Sequence, residues 1–125
     1  MATLLVATGK AIVTNYLSGG AASVPKYIGW GTGAGTTANT DTSLFTEAGS
    51  TRTTGTPTQV TSSTTNDTYQ VTGTSTASGS LAVTNSGLFD NATVGSGNLF
   101  AKGDFGTINL NSGDSIAFTW KVQFS

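Results

Sequence analysis

The clearest pattern of apolar and polar positions lies in the last ten residues. Ile116, Phe118, Trp120, Val122 and Phe124 alternate with Ala117, Thr119, Lys121 and Gln123. Side chains of a strand point alternately to its two faces, so these five large apolar residues share one face. That face needs a second sheet to cover it. Weaker strand signals recur upstream over Arg52–Thr56, Gln59–Thr64, Thr68–Ser75, Leu81–Phe89 and Leu99–Phe105. Turn-forming sequences separate them, among them Asp90–Asn98 and Asn109–Asp114, where Gly113 or Asn111 can take the left-handed conformation. Short strands spaced in this way predict an all-β protein, a sandwich or barrel. The expected fold is an antiparallel β-sandwich with a short N-terminal arm and helix.

The period differs before residue 20. Val6, Lys10, Val13 and Leu17 are spaced by four, three and four, with Ile12 and Tyr16 beside them. This predicts a helix over Gly9–Leu17 with Thr8 as its cap and Gly19-Gly20 as its stop. The preceding Ala2–Ala7 reads either as an arm reaching toward a partner or as a strand of the protein's own sheet. Residues 1–20 are thus an arm and helix packed on a body formed by residues 21–125. Within that body Val24–Trp30 reads as a strand, which Pro25 restricts to a strand start or an edge. Gly31–Thr36 reads as a loop in which glycines permit positive φ; no Gly-Lys-Ser/Thr ending supports a phosphate cradle. Asp41–Gly49 is expected to hold one turn of helix capped by Asp41.

Composition changes the picture mainly by what it removes. The 125 residues include 25 Thr, 17 Gly, 14 Ser and 8 Asn, about half of the chain, and only 9% are charged. Threonine suits a pleated surface, and its hydroxyl satisfies water. With no Cys and no His, the usual zinc, iron–sulfur and copper ligand sets are missing, as are a Ser–His–Asp triad and a Cys nucleophile. Net charge is −1, and the five basic residues, Lys10, Lys26, Arg52, Lys102 and Lys121, are scattered along the chain. Without a basic patch, nucleic acid is not an expected partner. No apolar run has the length of a transmembrane helix, so no membrane partner is expected. Leu4–Ala7 is too short for a secretory core, so no cleaved leader is expected.

Six acids remain for catalysis: Asp41, Glu47, Asp67, Asp90, Asp104 and Asp114. A glycosidase would need two of them held at a defined separation. Their spacing singles out no pair, and four lie in predicted turns, where Asp bonds its own backbone. The expectation is therefore no enzyme, no cofactor and no metal; the lesser alternative is a calcium site of Asp90, Asn91 and backbone carbonyls, which no repeated Asp-x-Asp spacing supports. Asn66-Asp67-Thr68 and Asn91-Ala92-Thr93 match the glycosylation pattern, which a chain so rich in Thr and Asn meets by chance. Trp120 falls on the alternating strand and is assigned to the core. Trp30, beside a loop, is a candidate contact, with a carbohydrate-binding module as one reading. A surface poor in charge has little electrostatic protection against association and suits a close-packed assembly.

Several segments, in order, resemble a family of small virion proteins of tailed bacteriophages. They are Tyr27-Ile28-Gly29-Trp30-Gly31-Thr32-Gly33, Thr40-Asp41-Thr42-Ser43-Leu44, Thr65–Val71, Ser86-Gly87-Leu88-Phe89-Asp90, Asn98-Leu99-Phe100-Ala101-Lys102 and Asn111–Ile116. The resemblance runs from about Tyr27 to Ser125. It implies a non-enzymatic structural protein of the particle, either a capsid decoration (cement) protein or a tail or fibre component. A decoration protein of this kind would have a β-sandwich or jelly-roll body and form homo-oligomers, commonly trimers. It would bind the major capsid protein on the outer surface of the capsid. The candidate contact residues are Leu4, Leu5 and Val6 in the arm, and Trp30, Gly31 and Gly33.

Overall fold

In the computed structural model, which describes residues 2–20 and 23–124, the chain forms eight antiparallel strands and one helix in the order β1 (Ala2–Leu5), α1 (Ala7–Leu17), β2 (Tyr27–Gly31), β3 (Thr53–Thr54), β4 (Thr56–Val60), β5 (Thr68–Thr76), β6 (Leu81–Phe89), β7 (Leu99–Leu110) and β8 (Ser115–Gln123). A five-stranded sheet has the order β1-β7-β6-β2-β3 and a three-stranded sheet the order β4-β5-β8. The all-β sandwich is therefore present, its strands divided five and three between the layers. Residue 21, the expected first residue of the body, lies outside the described residues.

The main core is built from both layers. Ile28, Leu88, Phe100 and Ala101 of the larger sheet meet Val71 and Trp120 of the smaller, and Ile12 of the helix closes one end. A second cluster joins Val6, Leu44, Phe89 and Leu99; a third joins Ala77, Val83 and Leu110 beneath Trp30 and Phe105. The period-two face of β8 points inward as expected, with Trp120 buried and Ile116, Phe118 and Val122 half-buried. Phe124 departs from that expectation: it follows the end of β8 and is 47% exposed.

One length of chain serves both sheets. β3 and β4 are separated only by Gly55, whose N–H donates to the Lys26 carbonyl at 2.8 Å. A Cβ there would collide with the Val71 side chain and lie 2.9–3.0 Å from the carbonyls of Lys26 and Thr72. Only glycine fits this crossing.

Four local expectations are corrected. The helix begins at Ala7 after Val6, with no side-chain cap; the Thr8 hydroxyl donates instead to the Leu99 carbonyl at 2.6 Å. Burial of Val6 fixes this start, and Asn39 O takes the Ala7 N–H at 2.8 Å. The buried face of the helix is Gly9 and Ile12; Lys10 is exposed and Leu17 is 82% exposed, so the 6-10-13-17 stripe is not the core stripe. Asp41–Gly49 holds no helical turn. Buried Asn85 receives the Phe45 N–H on Oδ1 (3.0 Å) and gives its amide to Phe45 O (3.1 Å), while Thr46 takes φ 51. Gln59–Thr64 is strand only in its first two residues: β4 runs from Thr56 to Val60, and the turn that follows is gathered by Asp67. The helix stop is as read. Gly19 has φ 84, its N–H reaches Tyr16 O and that of Gly20 reaches Asn15 O, the two bonds of a Schellman motif.

Candidate functional site

Two buried cations hold the irregular parts of the chain. Arg52 is 4% exposed and grips Glu47 with two parallel bonds, Nε to Oε2 at 2.7 Å and Nη2 to Oε1 at 2.8 Å. Its Nη1 donates to the carbonyls of Asn91 (2.9 Å) and Ser96 (2.7 Å), and its guanidinium lies 3.4 Å from the centre of the Phe89 ring. Lys102 is fully buried. Its Nζ bonds Asp41 Oδ2 and Ser43 O, both at 2.9 Å, and stands 3.3 Å from the centre of the Phe45 ring. Cations over aromatic faces, with charged and carbonyl partners, are compensated for the loss of water. Sequence reasoning, which sees five basic residues scattered along the chain, misses both as buried cations; the sequence signal is a lone Lys directly after Leu99-Phe100-Ala101.

The carboxylates are similarly committed. Besides holding Lys102, Asp41 accepts the Ala38 N–H at 2.9 Å. Desolvation pushes its pKa up, but the bonds from Ala38 and Lys102 outweigh that and leave it below the ordinary value. Backbone N–H groups of Thr64, Ser62 and Ser63 hold Asp67 well below the carboxylate range, and Thr37 lowers Asp104. Asp90 and Asp114 accept the N–H groups of Asn98 and Asn111. A general acid needs the opposite, a carboxyl whose pKa is raised. Among the described residues no three metal-ligating side chains come together.

These shifts set a pH window. Carboxylates with depressed folded pKa values contribute stability that is present above the unfolded value, about 4, and is lost as pH falls below it. Tyr69 has the opposite sign. Burial, then the charge of Tyr16, raises its pKa to about 12, so its contribution is complete below about pH 10 and is lost as pH rises toward 12. Thermal midpoints measured against pH should be flat between about 5 and 9 and fall on both sides. A midpoint that rises from pH 5 to pH 3 would contradict the assignment.

The six candidate contact residues do not converge. β1 pairs antiparallel with β7, from Ala2 opposite Asp104 to Leu5 opposite Ala101, so the arm is a strand of the protein's own sheet. Leu4 is 37% exposed, Leu5 packs against the main core and Val6 is buried. Trp30 lies in β2, with β7 and β6 between it and β1. Its ring meets Phe118 edge to face, centroids 6.3 Å apart, so much of it is core. Gly31 is buried and bridges to Glu47; Gly33 is half-buried and donates to Phe45 O at 2.9 Å. Trp30 borders a half-open cleft of about 390 Å³ shared with Arg52, Thr53, Ser75 and Ser78.

No family model matches this chain, and no curated protein or solved structure does.

The surface itself is uneven. Among the described residues, four of the six exposed large apolar side chains, Tyr16, Leu17, Val24 and Phe124, border one groove, of about 340 Å³. Ile12 and Tyr69 form part of its wall, no charged residue lines it, and the Tyr69 hydroxyl is turned away to the Pro25 carbonyl at 2.9 Å. Sequence reasoning missed the groove because helical spacing says nothing of Leu17's exposure, and the β8 alternation places Phe124 on the covered face. Contiguous exposed apolar surface of this kind is what protein contacts bury, at about 25 cal/mol per Å². The helix is 11 residues long, and among the described residues no helix is long and apolar enough to cross a membrane.

Proposed function

We propose that this chain is a structural protein of a tailed-bacteriophage virion, a decoration (cement) protein on the outer surface of the capsid. The observation that carries the reading is the apolar groove of Tyr16, Leu17, Val24 and Phe124 on a surface otherwise dressed in hydroxyls. The ordered resemblance from Tyr27 onward supports it. So does the engagement of all six carboxylates in hydrogen bonds that hold loops and turns or buried cations.

In this reading the groove takes an apolar projection of the major capsid protein at a junction between subunits. Because the protein binds the assembled shell and not separated subunits, binding stabilises the shell by linkage. Low surface charge keeps repulsion between crowded neighbours small. Many copies, each holding weakly, then resist disruption together.

The test is addition of purified protein to undecorated heads, followed by sedimentation and measurement of their disruption temperature. The protein should sediment with the heads and raise that temperature. Leu17→Asp, a change at a position 82% exposed, should abolish both effects while the protein stays folded. Binding to tails but not heads would favour a tail or fibre component. Binding to neither, with Trp fluorescence that responds to glycans, would replace the virion reading with a carbohydrate-binding module.

A further inference from the structure

Among the described strands the two sheets have four edges, and three are short. β1 has four residues, β3 has two, and β4 has five with Pro57 among them. Short edges and edge prolines are the usual guards against strand pairing between molecules. The fourth edge, β8, has nine residues, no proline or glycine, an unbroken register with β5 and a single charge, Lys121.

The free side of β8 follows from its ladder. Phe124 N donates to Asp67 O at 3.0 Å, and the register then runs without shift from Gln123 opposite Thr68 to Ser115 opposite Thr76. Antiparallel hydrogen bonding alternates, so the even-numbered residues bond β5. The N–H and C=O groups of Ser115, Ala117, Thr119, Lys121 and Gln123 then face outward. The side chains of these five residues are exposed.

We propose that β8 is a self-association edge. Two copies of this chain pair β8 against β8, antiparallel, about a two-fold axis through Thr119, and join two three-stranded sheets into one of six. This does not rest on the virion reading. Thr119 is the middle residue of Ser115–Gln123, so this register alone uses the whole strand. It sets Lys121 opposite Ala117, whereas an axis through Lys121 would set two like charges opposite each other. On the inner face it brings Trp120 of one copy opposite Phe118 of the other, an aromatic cross-strand pair in each direction.

A cleft at this edge supports the same arrangement. It has a volume of about 330 Å³ and is lined by Thr3 and Phe105, by Phe118 and Trp120 from the inner face of β8, and by Thr119 and Lys121 from its outer face. Contact with both faces means that the cleft wraps the free edge, where a second β8 would close it. Trp120 Nε1, in this wall, is buried without a hydrogen-bond partner, a second sign that the wall is incomplete in a single copy.

Light scattering at micromolar concentration should give twice the 12.6 kDa chain mass. Thr119→Lys, which sets two ammonium groups opposite each other, should give a monomer with unchanged circular dichroism and thermal midpoint, because Thr119 is exposed and makes no bond to β5. The chain has no cysteine, so single-cysteine variants report the register directly. Thr119→Cys should form a covalent dimer on mild oxidation. Ala117→Cys should not, because across the axis it lies four residues, roughly 14 Å, from its counterpart. A wild-type monomer at every concentration, a trimer indifferent to Thr119→Lys, or equal cross-linking through position 117 would each overturn the proposal. A monomer that still binds heads would overturn it and leave the virion reading standing; a dimer that ignores heads would do the reverse.

Discussion

Replacing Arg52 by alanine is expected to lower the unfolding free energy by about 3–5 kcal/mol, the usual cost of removing one partner of a buried ion pair. The size follows from what is left behind. The Glu47 side chain is only 10% exposed and would keep a charge with nothing to balance it. The carbonyls of Asn91 and Ser96 would each lose a charged donor, and Phe89 would lose its stacked cation. Unfolding in urea would show the loss as a midpoint lower by at least about 1 M. Arg52→Lys keeps a charge but cannot reproduce the fork, and should lose about 2 kcal/mol. Replacing both Arg52 and Glu47 by methionine should recover part of the alanine variant's loss, since no lone charge remains. A change below about 1 kcal/mol in the alanine variant would mean that Glu47 finds water without cost, against its burial.

Lys102 carries the second large effect, by a different balance. Its partner Asp41 keeps 21% of its side-chain surface exposed, so that carboxylate can rehydrate once the cation is gone. What cannot be recovered is the space of the fully buried side chain and the bond to Ser43 O. Lys102→Ala should therefore cost about 3–4 kcal/mol, most of it as a cavity, and Lys102→Met roughly half of that, because the stem is kept. Titration of Asp41 separates the two contributions. Both variants should raise its pKa, since both remove the Lys102 bond and charge that lower it, whereas only the alanine variant should show the larger fall in stability.

These two side chains also mark where the sequence stops being readable. The strands were legible because their signal is local: β6 runs over Leu81–Phe89 as the pattern placed it, and β8 differs from its expected end by one residue. The helix too was placed nearly correctly, but its face was not. Which side of a helix is buried depends on what lies against it, here β7, some ninety residues further on; Gly9 sits against the Phe100 backbone. Asp41–Gly49 failed for the same reason, since Asn85 and Lys102 determine its shape from distant strands. The apolar groove joins residues of the helix to Val24, Tyr69 and Phe124, and no window along the chain contains that set. The free edge of β8 was equally out of reach, because its alternation fixes two faces and says nothing of which neighbours the strand acquires.

Burial of the two cations has a consequence for digestion. The long irregular stretches, 32–52 and 90–98, are the kind of chain that proteases open first. Trypsin needs a lysine or arginine that can leave the surface and enter its specificity pocket. Within those stretches the sole such residue is Arg52, which is locked to Glu47, and Lys102, just beyond the second, is locked to Asp41. The remaining sites, Lys10, Lys26 and Lys121, lie in the helix, next to β2 and in β8. Within 32–52 and 90–98 the folded chain thus presents no free tryptic site, and these two stretches are shielded by the same two side chains that shape them.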